Sequence, residues 1–321
     1  MPPTDLNTLT LPDLYRELSE RVAGGGLVRR LLELARDEDL GPGGEPGDLT
    51  GTLTLGDAGE LATTVAAREP AVVAGLAVVP ELLELFAPRC TWTEHIPDGN
   101  SVETGTTLGA LRGPGEEVVR VERPLLNLVG RLCGIATRAR AFVDRVGERS
   151  ADRGGRCMVL DTRKTTPGLR VLEKYAVRCG GAFCHRLGLY DAVLIKDNHL
   201  AGLDPEGVAR RVTETATAAR ERFSDTLRFV EVEVDTLAQL DAVLSVAPGL
   251  VDHVLLDNMP PKTMREAATR RDVAGSAIRL EASGGITLET VRAAAESGVE
   301  RVSVGSLTHG ATSVDVGLDA R

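Results

Sequence analysis

From residue 157 onward, short apolar runs alternate with amphipathic stretches, and nearly every apolar run ends in a charged or polar group. The candidate strands are CMVLDT, AVLIKDN, RFVEVEVD, HVLLDN, IRLEASGG and RVSVGS. Between them lie LRVLEKYAVRCG, PEGVARRVTETATAARERF, TLAQLDAVLSV, PPKTMREAATRR and TLETVRAAAES, with apolar residues at helical spacing. Parallel strands need a crossover, usually a helix, so this rhythm predicts βα units around a parallel sheet. The strand-end groups are Asp161/Arg163/Lys164, Lys196/Asp197, Glu233/Asp235, Asp257/Asn258, Glu281/Ser283 and Gly305/Ser306. Polar groups at the end of strand after strand suit the mouth of an α/β barrel. A doubly wound open sheet would concentrate them at one switch point. The expectation is a parallel α/β barrel of six strands, or seven if another lies inside 130–157.

The first part of the chain has a different texture. Residues 12–36 carry apolar positions at helical spacing, and GPGGEPGDLT (41–50) is a Gly/Pro loop. From about 52 to 121 the pieces ELATTVAARE, AVVAGLAVV, CTWTEHI, TTLGALRG and EEVVRVE look β-like, with turn residues between them. RPLLNLVGRLCGIATRARAFVDRV has a long apolar stripe and is expected to be a helix. Two domains are expected, 1–127 and 128–308, with the tail 309–321 joining the first.

The 321 residues include 37 Lys+Arg against 47 Asp+Glu, for a net charge of −10 and a pI near 5.2. That balance and the 3% aromatic content argue against nucleic acid as a partner. No apolar run reaches membrane-spanning length, and the N-terminus shows no basic n-region or apolar h-region, so no membrane association or secretion is expected. Five cysteines with no CxxC pairing suggest free thiols in a reducing cytoplasm, not disulfides or a structural zinc site.

Against that acidic background, residues 161–199 hold seven Lys/Arg and four Asp/Glu, and three of the four lysines in the chain. Arg163, Lys164, Arg186 and Lys196 come from separate elements that converge on one barrel mouth, which suggests an anion site rather than a solvated face. Arg suits bidentate carboxylate recognition and Lys a point contact to phosphate. His185 precedes Arg186 and suits a carboxylate or a ring nitrogen; His199 suits a helix cap; His95, His253 and His309 are read as structural. Glu233 and Asp257 end neighbouring strands. They suit Mg²⁺, ribose hydroxyls or a developing positive centre, or simply cap the following helix. Asp235, just before TLAQL, is expected to be an N-cap. Ser283–Gly284–Gly285 and Val304–Gly305–Ser306 each end a strand with bare backbone, as phosphate loops late in a barrel do, or as ordinary turns do. No nucleophile elbow, GxGxxG or P-loop is present. The residues therefore suit a phosphate-bearing polyanion and an acidic partner, handled by positioning and electrostatics.

The strings LARDEDLGPGGEPGDLT, ERPLLNLVGRLCGIAT, DTRKTTPGLRVLEKYAVRCGG, HRLGLYDAVLIKDNH, EVEVDTLAQL, LLDNM, EASGGI and VSVGSLTH closely resemble the quinolinate phosphoribosyltransferase family, in family order from residue 34 to 309. The resemblance implies an N-terminal α/β sandwich plus an incomplete parallel α/β barrel, assembled at least as a homodimer. It implies that quinolinate and phosphoribosyl pyrophosphate become nicotinate mononucleotide, pyrophosphate and CO₂, with Mg²⁺. By matching motif, Arg123 resembles a quinolinate binder supplied to the partner's site. Thr162, Arg163, His185 and Arg186 resemble quinolinate binders. Lys164, Lys196, Glu233 and Asp257 resemble the catalytic groups around phosphoribosyl pyrophosphate, the two carboxylates meeting the metal directly or through water or substrate. Ser283, Gly284, Gly285, Val304, Gly305 and Ser306 resemble its phosphate loops. Cys133 and Cys184 stand where the family usually has Ser and a polar residue such as Asn. The rivals are a relative acting on another pyridine acid, a phosphate-binding barrel lyase or isomerase, and a non-catalytic binder.

Overall fold

The computed structural model describes residues 4–22, 25–55, 59–147, 150–151 and 155–320. These form two compact units.

One unit comprises Thr8–Arg140, Thr165–Gly181 and Leu307–Arg321. Its strands are β1 (Glu60–Ala67), β2 (Ala71–Val72), β3 (Thr91–Glu94), β4 (Ser101–Val102) and β5 (Thr107–Pro114). The C-terminal strand Val316–Ala320, β1, β5 and β3 pair in that order as an antiparallel sheet, while β2 and β4 form a separate ribbon. The helices are α1 (Leu11–Arg16), α2 (Leu27–Leu40), α3 (Leu49–Leu55), α4 (Val79–Phe86), α5 (Gly115–Val146) and α6 (Arg170–Cys179). Val79, Leu82, Leu83 and Phe86 repeat at helical spacing along α4, and all are buried.

Two expectations change in this unit. AVVAGLAVV is extended only at Ala71–Val72 and then turns helical. EEVVRVE is the start of α5, not a strand. Its β-branched residues favour a strand locally. However, Val118, Val121, Leu125, Val129, Leu132 and Ala136 form one buried stripe at spacings of three and four, and burial of that stripe decides. Position 127/128 lies inside this helix, and contacts divide the units after Arg140.

The other unit holds Met1–Asn7, Ala141–Lys164 and Ala182–Ser306. A small ribbon of β6 (Ser150–Ala151) and β7 (Gly155–Arg156) precedes the main sheet, and among the described residues 130–157 supplies no barrel strand. The six expected strands follow: β8 (Met158–Leu160), β9 (Val193–Ile195), β10 (Val230–Val234), β11 (His253–Asp257), β12 (Arg279–Ser283) and β13 (Arg301–Ser303). The helices α7 (Asp197–Leu200), α8 (Pro205–Arg222), α9 (Leu237–Leu244), α10 (Pro261–Val273) and α11 (Val291–Ala295) come between them.

All pairings in this sheet are parallel, in the order β8-β13-β12-β11-β10-β9. The last strand lies beside the first, as barrel closure requires. Phe183 adds a single parallel bridge on the free side of β8. No ladder joins that segment to β9 among the described residues, so the barrel is incomplete. In β10, VEVEV is buried throughout, with its valines on one face and Glu231 and Glu233 on the other.

Candidate active site

The glutamates on β10 lie at two depths. Cross-strand register pairs Glu231 with His253 and Glu233 with Leu255. Two residues of strand separate them by about 7 Å along the axis. The deeper level is a buried polar network. His185 Nε2 lies 3.0 Å from Glu231 and 3.3 Å from Glu281, Arg301 Nε donates to Glu281 at 2.7 Å, and Arg301 Nη1 meets His253 Nε2 at 3.1 Å. Burial alone would lower the pKa of His185 and the Glu281 and Glu231 carboxylates raise it, while the Arg186 N–H on Nδ1, a bond only the neutral ring can accept, opposes that rise. In His253, burial and then Arg301 drive the pKa down to about 3, so it is neutral and structural.

His185, Glu231 and Glu281 offer ligand atoms within 4.8 Å of one another. The ring orientation opposes a metal there. His185 Nδ1 accepts the Arg186 N–H at 2.7 Å, which places the proton of the neutral ring on Nε2, the nitrogen that faces the two carboxylates.

The shallower level, at the C-terminal ends of the strands, holds the groups expected from the sequence. Arg186 is buried; its Nη1 reaches Ala192 O at 3.4 Å, and its pKa is lowered by burial and then by the Arg163 guanidinium. Arg163 Nε is buried and has no hydrogen-bond partner among the described residues. Two like charges thus converge on one place. Thr162 Oγ1 accepts the Lys164 N–H at 2.9 Å and shapes the turn beneath them.

On the other side of the mouth, Lys196 Nζ donates to Glu233 at 3.1 Å. The pKa of Glu233 is raised by burial against the pull of Lys196, with Asp257 and Asp197 adding to the rise. That of Asp235 is raised by burial and then by Asp197 and Asp257. Carboxylates that disfavour each other's ionisation suit a hard cation with oxygen ligands. Asp197 and Asp235 were not assigned to this group from sequence. Asp235 is not the cap of α9; Thr236 is, accepting the Gln239 N–H at 3.2 Å, while Asp235 N–H goes to Gln239 Oε1 at 2.8 Å. His199 Nδ1 accepts the Lys196 N–H at 2.8 Å, a local cap.

The two loops follow their strands as expected. Gly284 has φ +88, and a Cβ there would lie 2.2 Å from Asn258 Oδ1 and 2.8 Å from Asn258 N. Asn258 itself has φ +53, donates its N–H to Ser283 O at 2.9 Å and its side-chain amide to Asp257 at 2.6 Å. Gly284 therefore has a packing reason to be glycine, and Asn258 couples this loop to Asp257. A Cβ on Gly285 would meet open space. Val304 N–H bonds Leu160 O at 2.9 Å, and Gly305–Leu307 turn as a short 3-10 helix.

Not every cation of the 161–199 window reaches the mouth. Arg170 donates to Thr165 at 3.0 Å, Lys174 is buried in α6, and Arg178 donates to Leu9 O at 3.3 Å, all within the other unit. Arg123 is also in that unit, on α5, with its side chain 67% exposed and Glu122 at 3.9 Å. It borders a cavity of about 390 Å³ with Leu31, Glu38, Asp39, Asn127 and Arg131.

Residues 48–133 match the family model described as quinolinate phosphoribosyl transferase, N-terminal domain, and 135–319 match its C-terminal domain. The chain is 39% identical over 297 residues to a nicotinate-nucleotide pyrophosphorylase (carboxylating) of Mycobacterium leprae, covering 91% of this chain and 96% of that protein. It is 38% identical over 292 residues to a probable nicotinate-nucleotide pyrophosphorylase (carboxylating) of Bacillus subtilis, covering 91% and 93%. The solved nicotinate-nucleotide pyrophosphorylase of Francisella tularensis superposes with a TM-score of 0.81 at 29% identity, covering 99% of this chain and 100% of that one. On these matches to both domains, the chain belongs to the quinolinate phosphoribosyltransferase family.

Proposed function

We propose that this chain transfers the phosphoribosyl group of phosphoribosyl pyrophosphate to quinolinate, yielding nicotinate mononucleotide, pyrophosphate and CO₂ in NAD biosynthesis. The observation that carries this reading is the like-charged pair Arg163 and Arg186, converging at the strand ends with a buried Arg163 Nε left unpartnered. Such a pair is costly until an anion arrives, and a planar dicarboxylate offers two bidentate partners.

The ring nitrogen of quinolinate donates its lone pair to ribose C1 as the C1–O bond breaks and pyrophosphate leaves with that electron pair. The bond from ring C2 to its carboxylate then breaks, CO₂ leaves, and C2 takes up a proton. Arg163 and Arg186 orient the acid, with Thr162 and His185 bracing them. Lys164, Lys196 and the loops at Ser283–Gly285 and Val304–Ser306 hold the phosphates. Glu233 and Asp257 face the positive charge developing on the ribose.

Mg²⁺ fits the same end of the barrel, because the oxygen donors of Glu233, Asp257, Asp197 and Asp235 disfavour each other's charge. Glu233 and Asp257 would hold the ion, directly or through water, with Asp235 nearby and Lys196 competing for Glu233. Bound there, Mg²⁺ would supply positive charge to offset that of the leaving pyrophosphate.

The working form is a homodimer with the exposed Arg123 reaching the partner's site. No helix among the described residues is long and apolar enough to cross a membrane. Five free cysteines, four of them buried, support a reducing cytoplasmic setting.

The test incubates the protein with quinolinate, phosphoribosyl pyrophosphate and Mg²⁺, and follows nicotinate mononucleotide and CO₂ together. Equal appearance of both is expected. Turnover of nicotinate but not quinolinate would assign a different acid to the same site.

A further inference from the structure

The segment Ala182–Arg186 carries two of the proposed quinolinate residues, and among the described residues its one strand-type bridge to the sheet is on the β8 side. Phe183 N–H bonds Val159 O at 2.8 Å, and Phe183 O accepts Asp161 N–H at 3.1 Å. In an extended chain, successive residues turn their N–H and C=O to opposite edges. Cys184 therefore presents both groups away from β8, toward the open seam. Left unpaired, each would cost a hydrogen bond in a part-buried setting.

Asn7 fills that need. Its Oδ1 accepts the Cys184 N–H at 2.8 Å, and its Nδ2 donates to Cys184 O at 3.0 Å. One amide side chain thus replaces one residue of a neighbouring strand. The segment bearing it is itself tied down: Leu6 is buried, Asn7 N–H bonds Asp5 Oδ1 at 3.0 Å, and Asp5 meets Arg228 at 3.5 Å. Arg228 in turn pairs with Asp191, whose carboxylate accepts the N–H groups of Leu187 and Gly188 at 2.7 and 2.9 Å. The stretch around His185 and Arg186 is therefore gripped at both ends by this N-terminal segment.

We propose that Asn7, which lies outside the range matched by the family model, is a positioning residue for the quinolinate clamp. Arg163 and Arg186 repel each other, so only a rigid backbone keeps both aimed at one ligand. Asn7 fixes Cys184, Asp161 fixes the His185 N–H at 2.8 Å, and the His185 ring fixes the Arg186 N–H at 2.7 Å. This inference rests on the quinolinate reading of the site.

The test measures KM for each substrate and Tm in wild type, Asn7→Ala and Asn7→Asp. Asn7→Ala is expected to raise KM for quinolinate about tenfold while KM for phosphoribosyl pyrophosphate stays within about twofold. Asn7→Asp keeps the acceptor for Cys184 N–H but loses the donor to Cys184 O, and should fall between. A lower Tm with both KM values unchanged, or raised alike, would make Asn7 merely structural and overturn the proposal. A wild-type chain that does not use quinolinate would remove the functional reading and this inference with it.

Discussion

The site depends on side chains whose chemistry is ordinary and whose surroundings are not. Arg186 is an arginine held in a buried place beside a second arginine, where its charge is disfavoured, and the proposed carboxylate would relieve that cost. Truncating one partner of a buried charge pair costs about 2–5 kcal/mol. Arg186→Ala should therefore lower kcat/KM for quinolinate about a hundredfold or more, with much less effect on the KM for phosphoribosyl pyrophosphate. Arg186→Lys should recover little, because an ammonium lacks the bidentate fork. Steady-state kinetics with each substrate varied in turn would show this, and equal loss toward both substrates would refute the assignment. At this scale the sequence was informative about residue types and poor about duty. Arg163, Lys164, Arg186 and Lys196 stood out, but so did Arg170, Lys174 and Arg178, which brace the scaffold. Asp197 and Asp235 gave no signal beyond being strand-end acids, because their mutual influence exists only once β9, β10 and β11 lie side by side.

Strands and helices were legible where one period dominated. The six barrel strands appear where the apolar runs and their polar ends placed them, because burial on both faces leaves a short continuous run. EEVVRVE misled because three valines in a row of charges look like a strand until Val118 and Val121 are connected to the stripe that continues past Leu125. The strand interiors also make a pH prediction. His253 is held near 3 against an ordinary 6.5, so the unfolded chain takes up a proton before the folded one does. Its contribution to stability is present above about 6.5 and is lost as pH falls toward 3. Glu281, held below its usual 4.5 by His185 and Arg301 despite burial, adds a loss of the same sign at lower pH. Urea unfolding at pH 7 and pH 5 should show that wild type loses more stability on acidification than His253→Gln, which keeps an acceptor for Arg301. Equal losses would mean that His253 titrates normally in the fold.

The whole molecule adds what neither residues nor elements supply. Arg123 stands on α5, mostly exposed, beside a cavity of its own unit. If it serves a partner's site, inactive Arg123→Ala and Lys164→Ala chains should recover about a quarter of wild-type activity when mixed, because half the assembled dimers are mixed and each contains one intact site. Heterodimers isolated with two different tags and showing no rescue would rule out a shared site.

What the sequence alone determined was rhythm and chemistry: a parallel βα succession, a ring of strand ends bearing cations, carboxylates and bare glycines, and strings distinctive enough to point to one family. What only the tertiary structure decided was depth and long-range partnership. Glu231 and Glu233 are two residues apart on one face of one strand and look interchangeable in a line of text. Cross-strand register sends the first to a sealed network with His185, Glu281 and Arg301 and leaves the second at the mouth with Lys196 and Asp257. The same holds for Asn7, whose partner is 177 residues away. Local pattern records which face a side chain takes; only the assembled sheet fixes its depth and which distant groups answer it.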